Sequence, residues 1–278
     1  MGNYDINFLV IAIGKYKMFA YPYITSVLSH VPNSHVEIIV DDVDYFSETI
    51  HKAKELYGDR FLIRKYRKEM EGWENNPQHH LQTNTIRFLE YPHTPSTSVY
   101  IGDIDIIILD SDIMQNHISH SKLIKLPYSN IRRHNSEALT GLHFISSSEE
   151  YYNLYTPQYQ SQVISMINKG EYTTYDENLL YNLMLEGYGV PEYANKECTY
   201  PNAEPQEVVY NYRPQHGLHI SLNRPDITHP TKGWGFSPTR NEKYKILSKT
   251  PLWNNSLKIF DKDYISILDK INKVIYEL

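Results

Sequence analysis

Two aspartates separated by one residue, Asp103 and Asp105, interrupt a long apolar stretch in the middle of the chain, SVYIGDIDIIILDSD. The β-branched and aromatic residues before them and the isoleucine run after them predict strands on both sides. An ionised carboxylate next to an apolar core needs a cation or several hydrogen-bond donors. Alternation along an extended chain would place both carboxylates on one side and Ile104 on the other. This pattern predicts a site for a hard divalent cation, Mg²⁺ or Mn²⁺.

The alternative interpretation of such a pair is a surface turn whose aspartates face water. The following Asp110-Ser111-Asp112 fits that description, because it comes after the strand and before a polar segment. A D-x-D pair alone is a weak motif. The apolar sequence on both flanks of Asp103 and Asp105 favours the metal site.

Two earlier strands also end at polar residues. Phe8–Ile13 is an apolar run followed by Gly14-Lys15-Tyr16, and His35–Val40 is followed by Asp41-Asp42. Helices predicted between the strands indicate βαβ units and a mostly parallel sheet. Ligands of such sheets bind beyond the carboxyl ends of the strands, where all these polar residues are expected.

The elements that must position these residues follow from apolar periodicity and from capping residues. Arg87 lies on the last of the early helices, where it either faces a phosphate across the sheet end or lies at the surface. The residues from Glu69 to Gln82 are expected to form a loop. The predicted helices are Met18–Leu28, Ser47–Tyr57 and Asn84–Tyr91, and the third strand is Phe61–Lys65.

The second half of the chain is less regular in its pattern. Little regular structure is expected between Asp112 and Asn135 or between Val190 and Arg240, and long loops of this kind tend to carry function. The predicted elements are a strand at Ala138–Ile145, whose Gly141 permits close backbone approach, and helices at Glu149–Lys169, Asp176–Gly187 and Asp261–Leu278. The last helix is amphipathic, and it packs on its own domain or, alternatively, on a membrane or a second copy.

Composition excludes several classes. The net charge of -6 and the scattered basic residues disfavour nucleic-acid binding. The single cysteine, Cys198, permits no intrachain disulfide and fits a cytoplasmic protein. Neither a dinucleotide-binding glycine motif nor a P-loop occurs, and no run reaches the roughly 18 apolar residues of a membrane span.

The order of these segments resembles that of a known class. VYIGDIDIIIL, then TGLHFIS, then the acid-opened helix YDENLL and a late histidine-containing loop resemble the GT-A class of nucleotide-sugar glycosyltransferases, particularly bacterial enzymes that build capsule or lipopolysaccharide. The resemblance covers most of residues 7 to 235. It implies an α/β fold with a Rossmann-related, mostly parallel sheet flanked by helices. Residues 1–240 would form the catalytic domain and residues 241–278 a helical extension packed on it.

The resemblance also implies roles for the metal-binding residues. Asp103 and Asp105 would hold Mn²⁺ or Mg²⁺ on the diphosphate of the donor, and Asp103 would also reach the ribose. A late histidine serves as a third ligand in several families of this class. His219 is the first candidate for that ligand and His229 the second.

Other positions are assigned in the same way. Ile13, Lys15, Asp41 and Asp42 would hold the base and the ribose. Lys232 and Arg224 would neutralise the charges of the diphosphate. Asp176 or Glu177 would act as general base in an inverting enzyme, whereas in a retaining enzyme a carboxylate there would support the donor sugar.

The implied activity is transfer of a sugar from a nucleoside-diphosphate sugar to a glycan or lipid-linked acceptor. Its setting would be surface polysaccharide synthesis in the cytoplasm, with peripheral contact to the inner membrane possible. Two alternatives remain open. One is a phosphatase of the haloacid dehalogenase type, although that family's motif lies near the N-terminus and has Thr or Val where this chain has Ile107. The other is a non-catalytic carbohydrate-binding protein.

Overall fold

The computed structural model describes residues 4–75, 80–133, 136–172, 175–192, 216–222 and 234–277. Its main sheet has six strands, in the order β3-β2-β1-β4-β7-β6, and a separate ribbon pairs β5 with β8. The strands are β1 (Tyr4–Ala12), β2 (Ser34–Val40), β3 (Phe61–Lys65), β4 (Ser96–Asp103), β5 (Ile106–Ile108), β6 (Tyr128–Ser129), β7 (His143–Ile145) and β8 (Gly217–His219).

Parallel pairing joins the first four strands of the sheet, whereas β7 and β6 are antiparallel to their neighbours. The helices are α1 (Ala20–His30), α2 (Ile50–Tyr57), α3 (His80–Leu89), α4 (Ile113–Ile124), α5 (Ser148–Leu154), α6 (Pro157–Asn168), α7 (Asp176–Gly187), α8 (Pro238–Leu247), α9 (Pro251–Ser256) and α10 (Lys262–Glu277). The predicted α/β class, with a mostly parallel sheet flanked by helices, is confirmed.

The central strand β1 shows why helices cover both faces of the sheet. Its side chains alternate between two apolar clusters: Phe8 and Val10 belong to one, and Leu9 and Ile11 belong to the other. The first cluster includes buried residues of α1, α2, α8, α9 and α10. The second includes buried residues of α3, α5, α6 and α7. A strand buried on both faces reads as a continuous apolar run, which is the pattern of β1.

The structure corrects several predicted elements. The segment after Asp112, expected to be irregular, forms α4, and the helix expected at Asn84 begins at His80. The helix expected at Glu149–Lys169 is divided into α5 and α6, because Pro157 occupies the first turn of α6 and Thr156 caps that helix. Regular strand structure in the Ala138–Ile145 segment is confined to β7.

The C-terminal helix packs as its amphipathic pattern predicts. The apolar stripe of α10 includes Tyr264, Ile271 and Ile275, which are buried in the same cluster as α1. Trp253 of α9 and Tyr244 of α8 lie in that cluster as well. Among the helices that the structure describes, none is both long enough and apolar enough to cross a bilayer.

Candidate functional site

Three side chains that could bind a metal ion meet beyond the carboxyl end of β4. Asp103 is the last residue of β4, Asp105 lies in the turn that follows, and His219 is the last residue of β8. Their ligand atoms all lie within 4.8 Å of one another. Nε2 of His219 is 3.2 Å from Oδ1 of Asp105 and 3.9 Å from Oδ2 of Asp103. The structure therefore brings the first-choice histidine to both predicted aspartates.

A turn and a strand pair create this convergence. Residues 104 and 105 form a turn, so the chain is not extended between the aspartates and the expected alternation does not apply there. Antiparallel pairing of β5 with β8 sets Ile106 opposite His219. The backbone oxygen of Asp105 also accepts a hydrogen bond of 2.6 Å from the amide of Ile220. These contacts bring a residue 114 positions along the chain from Asp105 to the strand end.

The donor set fits a hard divalent cation. Two carboxylates and one imidazole are ligands that Mn²⁺ accepts well, and Mg²⁺ shares the preference for carboxylate oxygen. Asp105 is buried, while Asp103 and His219 are each partly exposed. The cluster is therefore partly accessible to solvent, as a site that binds a ligand from solution must be.

Arg87 is buried beside this cluster, so its placement at the surface is excluded. Its guanidinium donates to the carbonyl of Gly102 at 3.1 Å, to Oδ1 of Asp103, and to Oδ2 of Asp176 at 3.2 Å. Burial lowers the pKa of Arg87, but the charges of Asp103 and Asp176 outweigh it and raise that pKa above its ordinary value. The guanidinium of Arg87 thus links Asp103, one of the candidate metal ligands, to Asp176 in the first turn of α7.

Gly141 makes room for this guanidinium. A Cβ atom at that position would lie 2.7 Å from Nη2 of Arg87. The close approach predicted for Gly141 is confirmed, and the partner is a side chain of α3.

The two predicted catalytic carboxylates have different surroundings. Asp176 accepts the bond from Arg87 with one oxygen and the amide of Glu177 with the other, at 2.9 Å. Glu177 instead pairs with Arg133, whose side chain is 48% exposed. Asp176 is therefore connected to the metal-ligand cluster through Arg87, and the carboxylate of Glu177 is held by a separate arginine.

The ends of β1 and β2 also meet, as predicted. Asp41 lies 3.1 Å from Nζ of Lys17 and accepts from the amide of Gly14 at 3.5 Å. Ile13 is half-buried, Lys15 and Asp42 are exposed, and Oδ1 of Asp42 accepts from the amide of Asp44 at 2.9 Å. The residues predicted to hold the base and the ribose thus stand at one edge, and Lys17, for which no role was predicted, lies next to Asp41.

Tyr16 was placed at the end of the first strand by the sequence pattern, but no role was predicted for it. Burial and then the negative charges of Asp105 and Asp103 raise the pKa of its phenol above the ordinary value. Tyr16 is partly buried just beyond the end of β1, the strand that pairs with β4. Its position directly after Gly14-Lys15 at a strand end was the signal available in the sequence.

Three predicted residues, Arg224, His229 and Lys232, lie outside the described residues. Their roles stay predictions.

Among known proteins, this chain is similar to several solved structures. No protein-family model matches the chain, and no curated protein matches it significantly. A galactosyltransferase, LgtC, solved with donor and acceptor sugar analogues, is 15% identical over 88% of this chain and 97% of its own, with a TM-score of 0.49. The glycosyltransferase GlyE of Streptococcus pneumoniae TIGR4 is 12% identical over 94% of this chain and 64% of its own, also at 0.49. Because both scores are below 0.5, the function of this chain must be argued from its own residues.

Proposed function

We propose that this chain is a metal-dependent glycosyltransferase that moves a sugar from a nucleoside-diphosphate sugar to a glycan or lipid-linked acceptor. The observation that carries the proposal is the convergence of Asp103, Asp105 and His219 beyond β4, at the edge where mostly parallel sheets bind ligands. The segment order that resembles GT-A enzymes supports it independently. Synthesis of a surface polysaccharide, in the cytoplasm and in peripheral contact with the inner membrane, is part of the proposal.

Asp103, Asp105 and His219 would hold Mn²⁺ or Mg²⁺. A bound divalent ion supplies Lewis-acid stabilisation of the charge that develops on a departing diphosphate. The charges of two carboxylates would cancel that of a bound divalent ion, and a neutral imidazole adds none. Arg87 would then be the one remaining positive charge among these residues. Further cations are then needed for the diphosphate, and Lys232 and Arg224 remain our candidates for this role.

The remaining residues bind and orient the substrates. Asp41 stands at the end of β2 and can accept hydrogen bonds from the base or the ribose, with Ile13, Lys15 and Asp42 at the same edge. Arg87 holds the carboxylates of Asp103 and Asp176 in fixed orientations. We assign Asp176 the role of supporting the donor sugar or taking the acceptor proton, ahead of Glu177, because Arg87 links it to the metal-ligand cluster.

Thermal unfolding with a panel of nucleotides and nucleotide sugars tests this proposal, in Mn²⁺ and in EDTA. A ligand that binds only the native state at 100 times its Kd adds about 2.7 kcal/mol of stability. For a chain of 278 residues that corresponds to a rise in Tm of roughly 5 °C. We expect the rise with one nucleoside diphosphate or its sugar conjugate, in Mn²⁺ and not in EDTA.

Variants connect the shift to the cluster. Asp105→Asn should abolish the Mn²⁺-dependent rise, because an amide is a poorer ligand than a carboxylate for a hard cation. Asp112→Asn is the matched control, since Asp112 is an exposed aspartate of the same segment. The absence of any nucleotide effect in Mn²⁺ would refute the proposed function, and a full rise in Asp105→Asn would refute the metal assignment.

A further inference from the structure

A network of hydrogen-bonded, buried polar side chains adjoins β8, the strand that carries His219, and takes no part in the proposed chemistry. His216 directly precedes β8, and its Nε2 shares a hydrogen bond of 2.8 Å with Nε2 of His117 on α4. Nδ1 of His117 is bonded to Oγ of Ser129 on β6 at 2.7 Å, and Nδ1 of His120 reaches the same oxygen at 2.8 Å. The three histidines and Ser129 are all buried. This network connects the start of β8 to α4 and to the main sheet.

The ring of His216 is enclosed on several sides. The aromatic ring of Tyr100 on β4 lies 5.5 Å from it in an edge-on orientation, and Phe144 on β7 is stacked on its partner His117. The backbone oxygen of His216 accepts from the amides of Leu109 and Asp110, at 2.6 and 3.2 Å. Both the side chain and the backbone of His216 are therefore fixed.

The β8 strand needs such an anchor. It has three residues and, among the strands that the structure describes, pairs with β5, while the amide of His219 donates to the backbone oxygen of Trp234 at 3.1 Å. Short two-stranded ribbons are marginal by themselves. A register shift of one residue would turn His219 to the opposite face of the ribbon. Gly217 permits the observed register, because a Cβ atom there would lie 1.6 Å from the carbonyl oxygen of Ile107.

We infer that His216 and His117 are positioning residues for the metal site: their hydrogen bond fixes the register of β8 and thereby places His219 against Asp105. The inference rests on the metal site of the proposed function. Outer residues that orient ligands commonly contribute tenfold to hundredfold to metal affinity, and a ligand on a three-residue strand depends on its anchor in the same way.

Titration of the purified full chain with Mn²⁺, followed by electron paramagnetic resonance of the free ion, tests this role. His117→Leu removes the bond to His216, and we expect Mn²⁺ affinity to fall by roughly tenfold to hundredfold. His117→Gln should retain most of the affinity, because its amide can reach the position of Nε2. His143→Leu is the matched control: His143 is equally buried, on β7, and its ring is bonded to Asn130 rather than to β8.

Gly217→Ala is a second route to the same displacement and keeps the inference testable where His117→Leu does not fold. Unchanged Mn²⁺ affinity in a folded His117→Leu or Gly217→Ala protein would overturn the positioning role. An equal loss in His143→Leu would also overturn it, since general loosening would then be the cause. Failure of the unmodified chain to bind Mn²⁺ would remove both the metal site and this inference. Mn²⁺ binding without nucleotide binding would refute the proposed function alone.

Discussion

Arg87 shows how a single buried cation organises the candidate site. Removing it would leave the carboxylates of Asp103 and Asp176 without their shared partner. Breaking a buried ion pair in this way typically costs 3–5 kcal/mol. We therefore expect Arg87→Met to lower the free energy of unfolding by about 3–5 kcal/mol, measured by urea denaturation in EDTA.

A matched variant separates burial from charge. Arg133→Met removes the same kind of pair from Glu177, but the Arg133 side chain is 48% exposed. Exposed pairs contribute about 0–1 kcal/mol. Equal destabilisation by the two variants would contradict the structural role assigned to Arg87.

His143 is a buried histidine whose surroundings favour its neutral form. Burial lowers its pKa to about 3. The side-chain oxygen of Asn130 accepts from the amides of Ile131 and Thr140, so its amide nitrogen faces Nδ1 of His143 and donates to it at 3.2 Å. A proton on Nδ1 would remove that bond.

This depressed pKa makes stability depend on pH. The unfolded histidine, with a pKa of about 6.5, binds more protons than the folded one below that pH. The neutral form of His143 therefore contributes fully to the free energy of unfolding above pH 6.5. This contribution is lost progressively as the pH falls from 6.5 towards 3, and the loss at pH 5 is about 2 kcal/mol.

A glutamine side chain does not titrate, so the variant His143→Gln should not show this loss of stability at low pH. Urea denaturation at pH 8 and pH 5 should show the stability gap between the two proteins narrowing by about 2 kcal/mol at the lower pH. Other groups, including His35, titrate alike in both proteins and cancel. A constant gap would mean that His143 is protonated in the folded state.

Individual residues differ in how far the sequence reveals them. Asp103 and Asp105 could be predicted because carboxylates inside an apolar stretch require a partner. The burial of Arg87 could not, since Asp176 lies 89 residues away and no local pattern connects the two. Arg133 was missed for the same reason, because its partner Glu177 lies 44 residues away.

At the scale of elements, local patterns identified long apolar strands well and short or polar-faced elements poorly. The strands β1 and β3 were expected within a few residues of where they occur, because each is a compact apolar or β-branched run. The α4 helix was missed because its buried face carries His117, His120 and Ser121, so its apolar periodicity is hidden. The β8 strand gave no signal, since its three residues become a strand by pairing with β5.

The same contrast explains which half of the candidate site was predictable. The sheet end that holds Asp103 follows from the strand itself. The placement of His219 depends on a ribbon whose register is set by tertiary contacts, including those of His216. Choosing His219 among the histidines of the chain therefore relied on the family resemblance rather than on local pattern.

The whole molecule is built around a sheet that is covered on both faces, and the C-terminal helices belong to one of those layers. Trp253 of α9 is buried, with Tyr244 and Phe260 in edge-on contact with its ring. The same apolar cluster includes Phe8 and Val10 of β1. Although residues 241–278 were predicted as an extension, this shared packing leads us to expect that they unfold together with the sheet.

Calorimetry of Trp253→Ala tests this expectation. Truncating a buried tryptophan typically costs about 3–5 kcal/mol. Because Trp253 and β1 share one apolar cluster, the protein should unfold in a single transition. Trp253→Ala should lower the Tm of that transition, and Mn²⁺ should raise the Tm of the same transition. Ile246→Ala, at a position on α8 that is 66% exposed, should change stability by less than about 0.5 kcal/mol. Two separate transitions, with the Mn²⁺-dependent one unaffected by Trp253→Ala, would instead show that the C-terminal helices form an independent unit and that the sheet holds the candidate site without them.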